Sequence, residues 1–160
     1  MNRRETAVWA FEQGYNCAQA LAYAFRDLIP IRQDVLLSMM SSLGGGMGRL
    51  REVCGAVSGM EAVLGVLFGY AGPEKGEIKA AHYARVQETA LEFERLHGSI
   101  VCRELLGLEK GHEEPTPSPR TEAYYKARPC GGFIGDAAEI LDRYIEKHKS
   151  ELRIVPDKTE

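Results

Sequence analysis

The chain reads as all-α. Two observations carry this: apolar residues recur at helical spacing through most of its length, and no segment alternates apolar and polar residues as a half-buried strand would. Helix punctuation agrees, with Asn or Ser before several periodic segments and Gly or Pro after them. The expectation is a compact bundle of five to seven helices forming one domain over residues 1–150, with 151–160 as a C-terminal tail. At 160 residues, 44% of them apolar, one domain with a real core is the natural outcome.

Arg3 to Gln13 is amphipathic, with Ala7, Val8, Ala10 and Phe11 on one side, and Gly14 ends it. Asn16 is the expected N-cap of a second helix running to about Leu28, with Cys17 in its first turn beside Ala20, Leu21 and Ala24. Asp34 is the expected cap of a third, VLLSMMSSL, which the run Gly44-Gly45-Gly46-Met47-Gly48 breaks. Val53 to Phe68 is helical and apolar nearly all round, so it should be central. Its small residues Ala56, Gly59, Ala62 and Gly65 leave a flat strip for a neighbouring helix or a cofactor. Glu77 to His97 is long, with a modest apolar stripe and Gly98 as its stop. Ser99 should cap IVCRELLGL, which holds Cys102. Lys110 to Arg120 carries three prolines and reads as a loop. TEAYYKA is a short helix, and Phe133 to Lys149 closes the chain with Ile134, Ala137, Ala138, Ile140, Leu141, Tyr144 and Ile145 inward.

A net charge of -3 and the lack of any Lys/Arg run give no nucleic-acid footprint. No apolar run approaches the roughly 20 residues that cross a bilayer, and the first residues lack a signal-peptide h-region. The expectation is a cytoplasmic protein with reduced thiols, whose four cysteines bind metal, react or are buried rather than form structural disulfides. Each cysteine falls near an expected helix start, where free N–H groups and the helix dipole favour thiolate. Were the four starts to converge, they would suit thiolate ligation of a cation or an iron–sulfur cluster. As a structural alternative, a lone cysteine is usually a small buried filler. No CxxC pair and no CxxCH haem-attachment motif occur.

The segment Cys54-Gly55-Ala56-Val57-Ser58-Gly59, preceded by the glycine run, resembles the signature of the C_GCAxxG_C_C family of four-cysteine redox-active proteins. Asn16-Cys17-Ala18-Gln19-Ala20, the stretch from Gly98 to Gly107 around Cys102, and Cys130 resemble its other three cysteine segments. The resemblance extends from about Phe11 to Leu141 and implies redox activity without naming a reaction. Three readings follow. In the first, Cys17, Cys54, Cys102 and Cys130 ligate an iron–sulfur cluster for electron transfer or redox sensing, with Gly45, Gly46, Gly48, Gly55 and Gly59 around the cofactor. In the second, two cysteines such as Cys17 and Cys54 exchange thiol and disulfide without metal. In the third, the four hold structural Zn²⁺. A helical interaction domain with buried thiols and no cofactor is the bland alternative. The redox partner is unknown, and a homodimer through the central helix and Met39-Met40 is expected. Glu52 and Arg51 are expected to be solvated, Glu61 either pairs with an Arg or faces the site, and His82, His97, His112 and His148 are expected at the surface or satisfied.

Overall fold

The caps position the helices. Asn2 and Glu5 form a capping box that starts α1 (Arg3–Glu12), and Asn16 and Gln19 form another that starts α2 (Cys17–Ala24). These are the first elements of a computed structural model that describes residues 1–109 and 111–153. They are followed by α3 (Gln33–Ser41), α4 (Gly55–Phe68), α5 (Gly76–His97), α6 (Cys102–Leu105), α7 (Glu122–Ala127) and α8 (Cys130–Lys147). Six of these are eight residues or longer, within the expected range, and α6 and α7 add two short pieces among the described residues. The only strand-like feature among them is a single antiparallel bridge between Val53 and Val101. No helix is long and apolar enough to cross a membrane.

Several boundaries differ from expectation. The second helix stops at Ala24, and Arg26–Leu28 continue as a 3₁₀ turn. Asp34 does not cap α3; it lies inside the first turn, 2.5 Å from Arg32. The last helix begins at Cys130, three residues early, because the Gly132 and Phe133 amides donate to the Pro129 carbonyl. Of the segment 151–160, Glu151 closes a 3₁₀ turn and pairs with Arg85, and the Arg153 amide donates to Leu67 at 2.9 Å. This start of the expected tail is therefore docked on the bundle; 154–160 lie outside the described residues.

Helix α4 is the centre, as its all-round apolar pattern requires. It packs against α2, α5 and α8, while α1 lies across α2 and α8. Met40 is also in the core, and only Met39 of that pair is exposed. All seven residues expected inward on α8 are buried. On α5 only Thr89 and Phe93 are, so most of that helix is solvated.

Gly59 belongs to this packing and not to a cofactor seat. A Cβ there would stand 2.9 Å from the Ala18 Cα, so the residue lets the backbones of α4 and α2 close together. Glu61 resolves differently from either expectation: it faces neither an arginine nor the cysteines. Its Oε1 accepts from the Thr89 hydroxyl at 2.8 Å, and burial pushes its carboxyl up to about 8.

Gly59→Val should destabilise the fold by about 1–3 kcal/mol through overpacking. Gly65→Ala, on the same helix with nothing within 4 Å of a new Cβ, should be neutral or stabilise by about 0.5–1 kcal/mol; urea denaturation of the pair checks both. Glu61 predicts a pH slope. Folded, it stays neutral up to about 8, but unfolded it ionises above its ordinary 4.5. Unfolding between those values releases a proton, so stability falls as pH rises across that window, by on the order of a few kcal/mol. Glu61→Gln should flatten the slope in denaturation curves taken from pH 4 to 9.

Candidate functional site

The four cysteines occupy four helix starts. Cys17 is the first residue of α2, held there by the Asn16–Gln19 box; Asn16 Nδ2 also donates to the Ser41 carbonyl at 2.9 Å, tying this start to the end of α3. Cys54 is the N-cap of α4, directly ahead of Gly55. Cys102 and Cys130 are the first residues of α6 and α8. Around the Val53–Val101 bridge the Cys54 amide donates to Ile100 at 2.8 Å and the Cys102 amide to Glu52 at 2.6 Å. Cys54 and Cys102 thus lie one residue beyond the bridge on each segment, on the same face of it. All four cysteines line one cavity of about 340 Å³.

The glycine run forms the wall of that cavity. Gly45, Gly46, Met47, Gly48 and Arg49 all have φ between 62° and 70°, a full left-handed turn, and Arg51 follows at 59°. Such a conformation costs roughly 1–2 kcal/mol per L-residue with a side chain and almost nothing for glycine, so the glycines make the turn affordable. Gly46 has a second constraint: a Cβ there would stand 2.8 Å from the Cys102 Cβ and 2.7 Å from the Glu52 amide. Of the five glycines expected around a cofactor, Gly45, Gly46, Gly48 and Gly55 line the cavity and Gly59 does not.

The turn delivers Arg49 and Arg51. Arg51 is 5% exposed, which corrects its expected solvated role. Its Nε donates to Glu113 at 2.7 Å and its Nη1 approaches Cys102 Sγ at 3.7 Å. Arg49 donates to the Glu114 carbonyl at 2.6 Å and lies 3.1 Å from Glu113. The proline-rich segment 111–120 is therefore pinned at the cavity by Glu113 rather than free; Lys110, the first residue of that expected loop, lies outside the described residues. Glu52 is half-buried, paired with Arg103 at 2.9 Å. Ser99 does act near the start of α6, accepting from the Val101 amide at 2.9 Å.

The thiols are not equivalent. The neighbouring Cys130 raises Cys17 well above the ordinary thiol value, and the influence of Cys17 holds Cys130 down at about 7; Arg128, Arg51 and Arg120 favour the Cys130 thiolate in the same sense. Burial pushes Cys54 up to about 12. Burial also raises Cys102, opposed by Arg51.

Sequence reasoning missed Arg51, Arg120, Arg128, Tyr124 and Phe133, all of which line the cavity. The pattern Arg120…Tyr124-Tyr125…Arg128 before a cysteine was the available signal, because Arg readily stacks on aromatic rings. The four histidines lie outside the cavity lining; His97 and His148 meet Asp136 and Glu151 at 3.0 and 2.8 Å.

A tetrahedral zinc ion with Zn–S bonds near 2.3 Å draws its sulfurs to within roughly 4 Å of one another. Among the described residues no group of three or more His, Cys, Asp or Glu side chains is placed to hold one metal ion. A cluster spreads its ligands wider, and four thiols on one carboxylate-free cavity are a donor set that fits it.

A family model described as "Putative redox-active protein (C_GCAxxG_C_C)" matches residues 15–144, which include all four cysteines. No curated protein and no solved structure matches the chain.

In reduced, iron-free protein, Cys130 should alkylate with iodoacetamide with a midpoint near pH 7, while Cys54 stays unreactive to pH 9. Arg128→Gln removes a cation that favours the thiolate and should move the Cys130 midpoint upward. Peptide mass spectrometry across a pH series reads both.

Proposed function

Because the chain belongs to the C_GCAxxG_C_C family of redox-active proteins, we propose that Cys17, Cys54, Cys102 and Cys130 ligate an iron–sulfur cluster serving electron transfer. The observation that supports this is the convergence of four cysteines, each at a helix N-terminus, on one cavity that no carboxylate lines. The cluster would supply one-electron chemistry. The chain's own residues would do the rest. Four helix starts favour thiolate at each ligand, and the guanidiniums of Arg51, Arg120 and Arg128 balance negative charge in the cavity. Leu105, Leu106 and Phe133 supply apolar surface that limits water. The electron donor and acceptor are separate molecules.

A second reading draws on Cys17 and Cys130, which line the same cavity and shift each other's titration in opposite directions. There the Cys130 thiolate and Cys17 thiol give up two electrons, and the Cys17 proton, to an oxidised partner and form one S–S bond.

Protein purified without oxygen should be coloured and carry roughly two to four irons per chain, with an EPR signal in one redox state. Serine at any of the four positions should lower iron content. Colourless, iron-free protein with four titratable thiols would overturn the cluster. Mild oxidation of that material should then give a Cys17–Cys130 disulfide that survives Cys54→Ser; a disulfide through Cys54 would count against the second reading.

A further inference from the structure

The cysteine cavity has more positive charge than its protein partners answer. Four arginines line it and no aspartate or glutamate does. Arg49 and Arg51 are matched by Glu113. Arg120 and Arg128 are not: among the described residues neither guanidinium makes a hydrogen bond or meets a carboxylate within 4.0 Å. Both instead lie over the ring of Tyr124, with guanidinium carbons 4.9 and 5.5 Å from its centroid, and Arg120 also lies 4.8 Å from the Phe11 ring.

Sharing one ring keeps two like charges within roughly a Debye length of each other, about 10 Å at 0.1 M salt, where they repel. Arg120 is exposed and Arg128 half-buried, so stacking holds each guanidinium in place with its N–H donors turned to solvent and free for a ligand. Two guanidiniums carry about ten such donors. A single thiolate such as Cys130 offers one diffuse acceptor, too few for them. A group with two or three oxygens matches guanidinium forks far better.

We propose that Arg120 and Arg128 form a binding site for a small oxyanion, of carboxylate or phosphate type, at the wall of the cysteine cavity. The two arginines supply forked hydrogen bonds, and Tyr124 fixes their spacing. The cavity, about 340 Å³, is at the small end of ligand pockets, so the ligand is a small molecule and not a polymer segment. A negatively charged ligand held here lies beside the cysteines, where it can act as a redox substrate or report its presence to the centre. The inference rests on the shared cavity and not on whether iron fills it.

The test is isothermal titration calorimetry of the full chain, as isolated and after iron removal. Sodium phosphate, sodium malonate and sodium sulfate are compared at fixed ionic strength, with chloride as control. One-to-one saturable binding of a multi-oxygen anion is expected, phosphate and malonate separating the two ligand types. Arg120→Gln and Arg128→Gln should each weaken it at least tenfold, and Arg143→Gln, on the outer surface with Glu92, should leave it unchanged. Should either glutamine variant unfold, protection answers in the intact protein: the bound anion should slow Cys130 alkylation several-fold. Absence of saturable binding, equal binding in all variants, or no protection overturns the site. Anion binding by iron-free protein that never carried iron would leave this site standing and remove the cluster.

Discussion

A buried positive charge organises the site. Arg51 is almost fully enclosed, and a charge removed from water must be paired or it destabilises the fold strongly. Glu113 supplies the partner, with the guanidinium holding the carboxylate well below its usual range. That one requirement draws in three parts of the chain. The left-handed turn aims the arginine inward, the segment 111–120 brings the carboxylate across, and Cys102 receives the remaining edge at 3.7 Å. The Arg51 carbonyl is occupied too, accepting from the Arg103 amide at 3.1 Å. The backbone strain from Met47 to Arg51 therefore sits where the surrounding pairing fixes it, as expected of strain kept at a functional site.

The same charge separates the thiols chemically. All four have the helix-start placement that favours thiolate, yet they titrate in opposite directions. Cys54 stands at a helix N-cap but is buried, and desolvation wins. Cys130 has the neighbouring Cys17 and the nearby guanidiniums, and they win over its burial. Helix dipoles alone are worth a few tenths to about 1 kcal/mol, less than one pKa unit at 1.36 kcal/mol. Neighbouring charge and burial, not helix position, decide which thiol is reactive.

This is why the fold was largely legible in the sequence and the site only half so. Local signals gave the helices: Asn16 as cap, Gly98 as stop at φ 83°, and the inward face of α8. They also gave all four cysteines as helix starts. The features that failed are non-local. Arg51 and Glu113 are 62 positions apart, and nothing in either segment's periodicity marks them as partners. Gly59 looks the same on paper as the cavity glycines until Ala18 is placed against it. Asp34 obeys a local preference for helix starts, but Arg32 takes its carboxylate.

The arrangement of acids sharpens the electrostatic argument. Glutamates are abundant around the cavity, yet each near one is committed elsewhere: Glu52 to Arg103, Glu113 to Arg49 and Arg51, and Glu104 to Ser99. Carboxylates allowed to face the sulfurs would raise thiol pKa values and repel any anionic centre or ligand. Turning them outward leaves a cavity whose charge-bearing lining consists of cysteines and arginines. Such a lining can stabilise negative charge in several forms: a thiolate, a thiolate-bound cluster, or an oxyanion at Arg120 and Arg128. An electron arriving at the site adds negative charge, and a cationic, carboxylate-free wall makes that addition easier. The wall therefore favours reduction at this site whichever of these forms the negative charge takes.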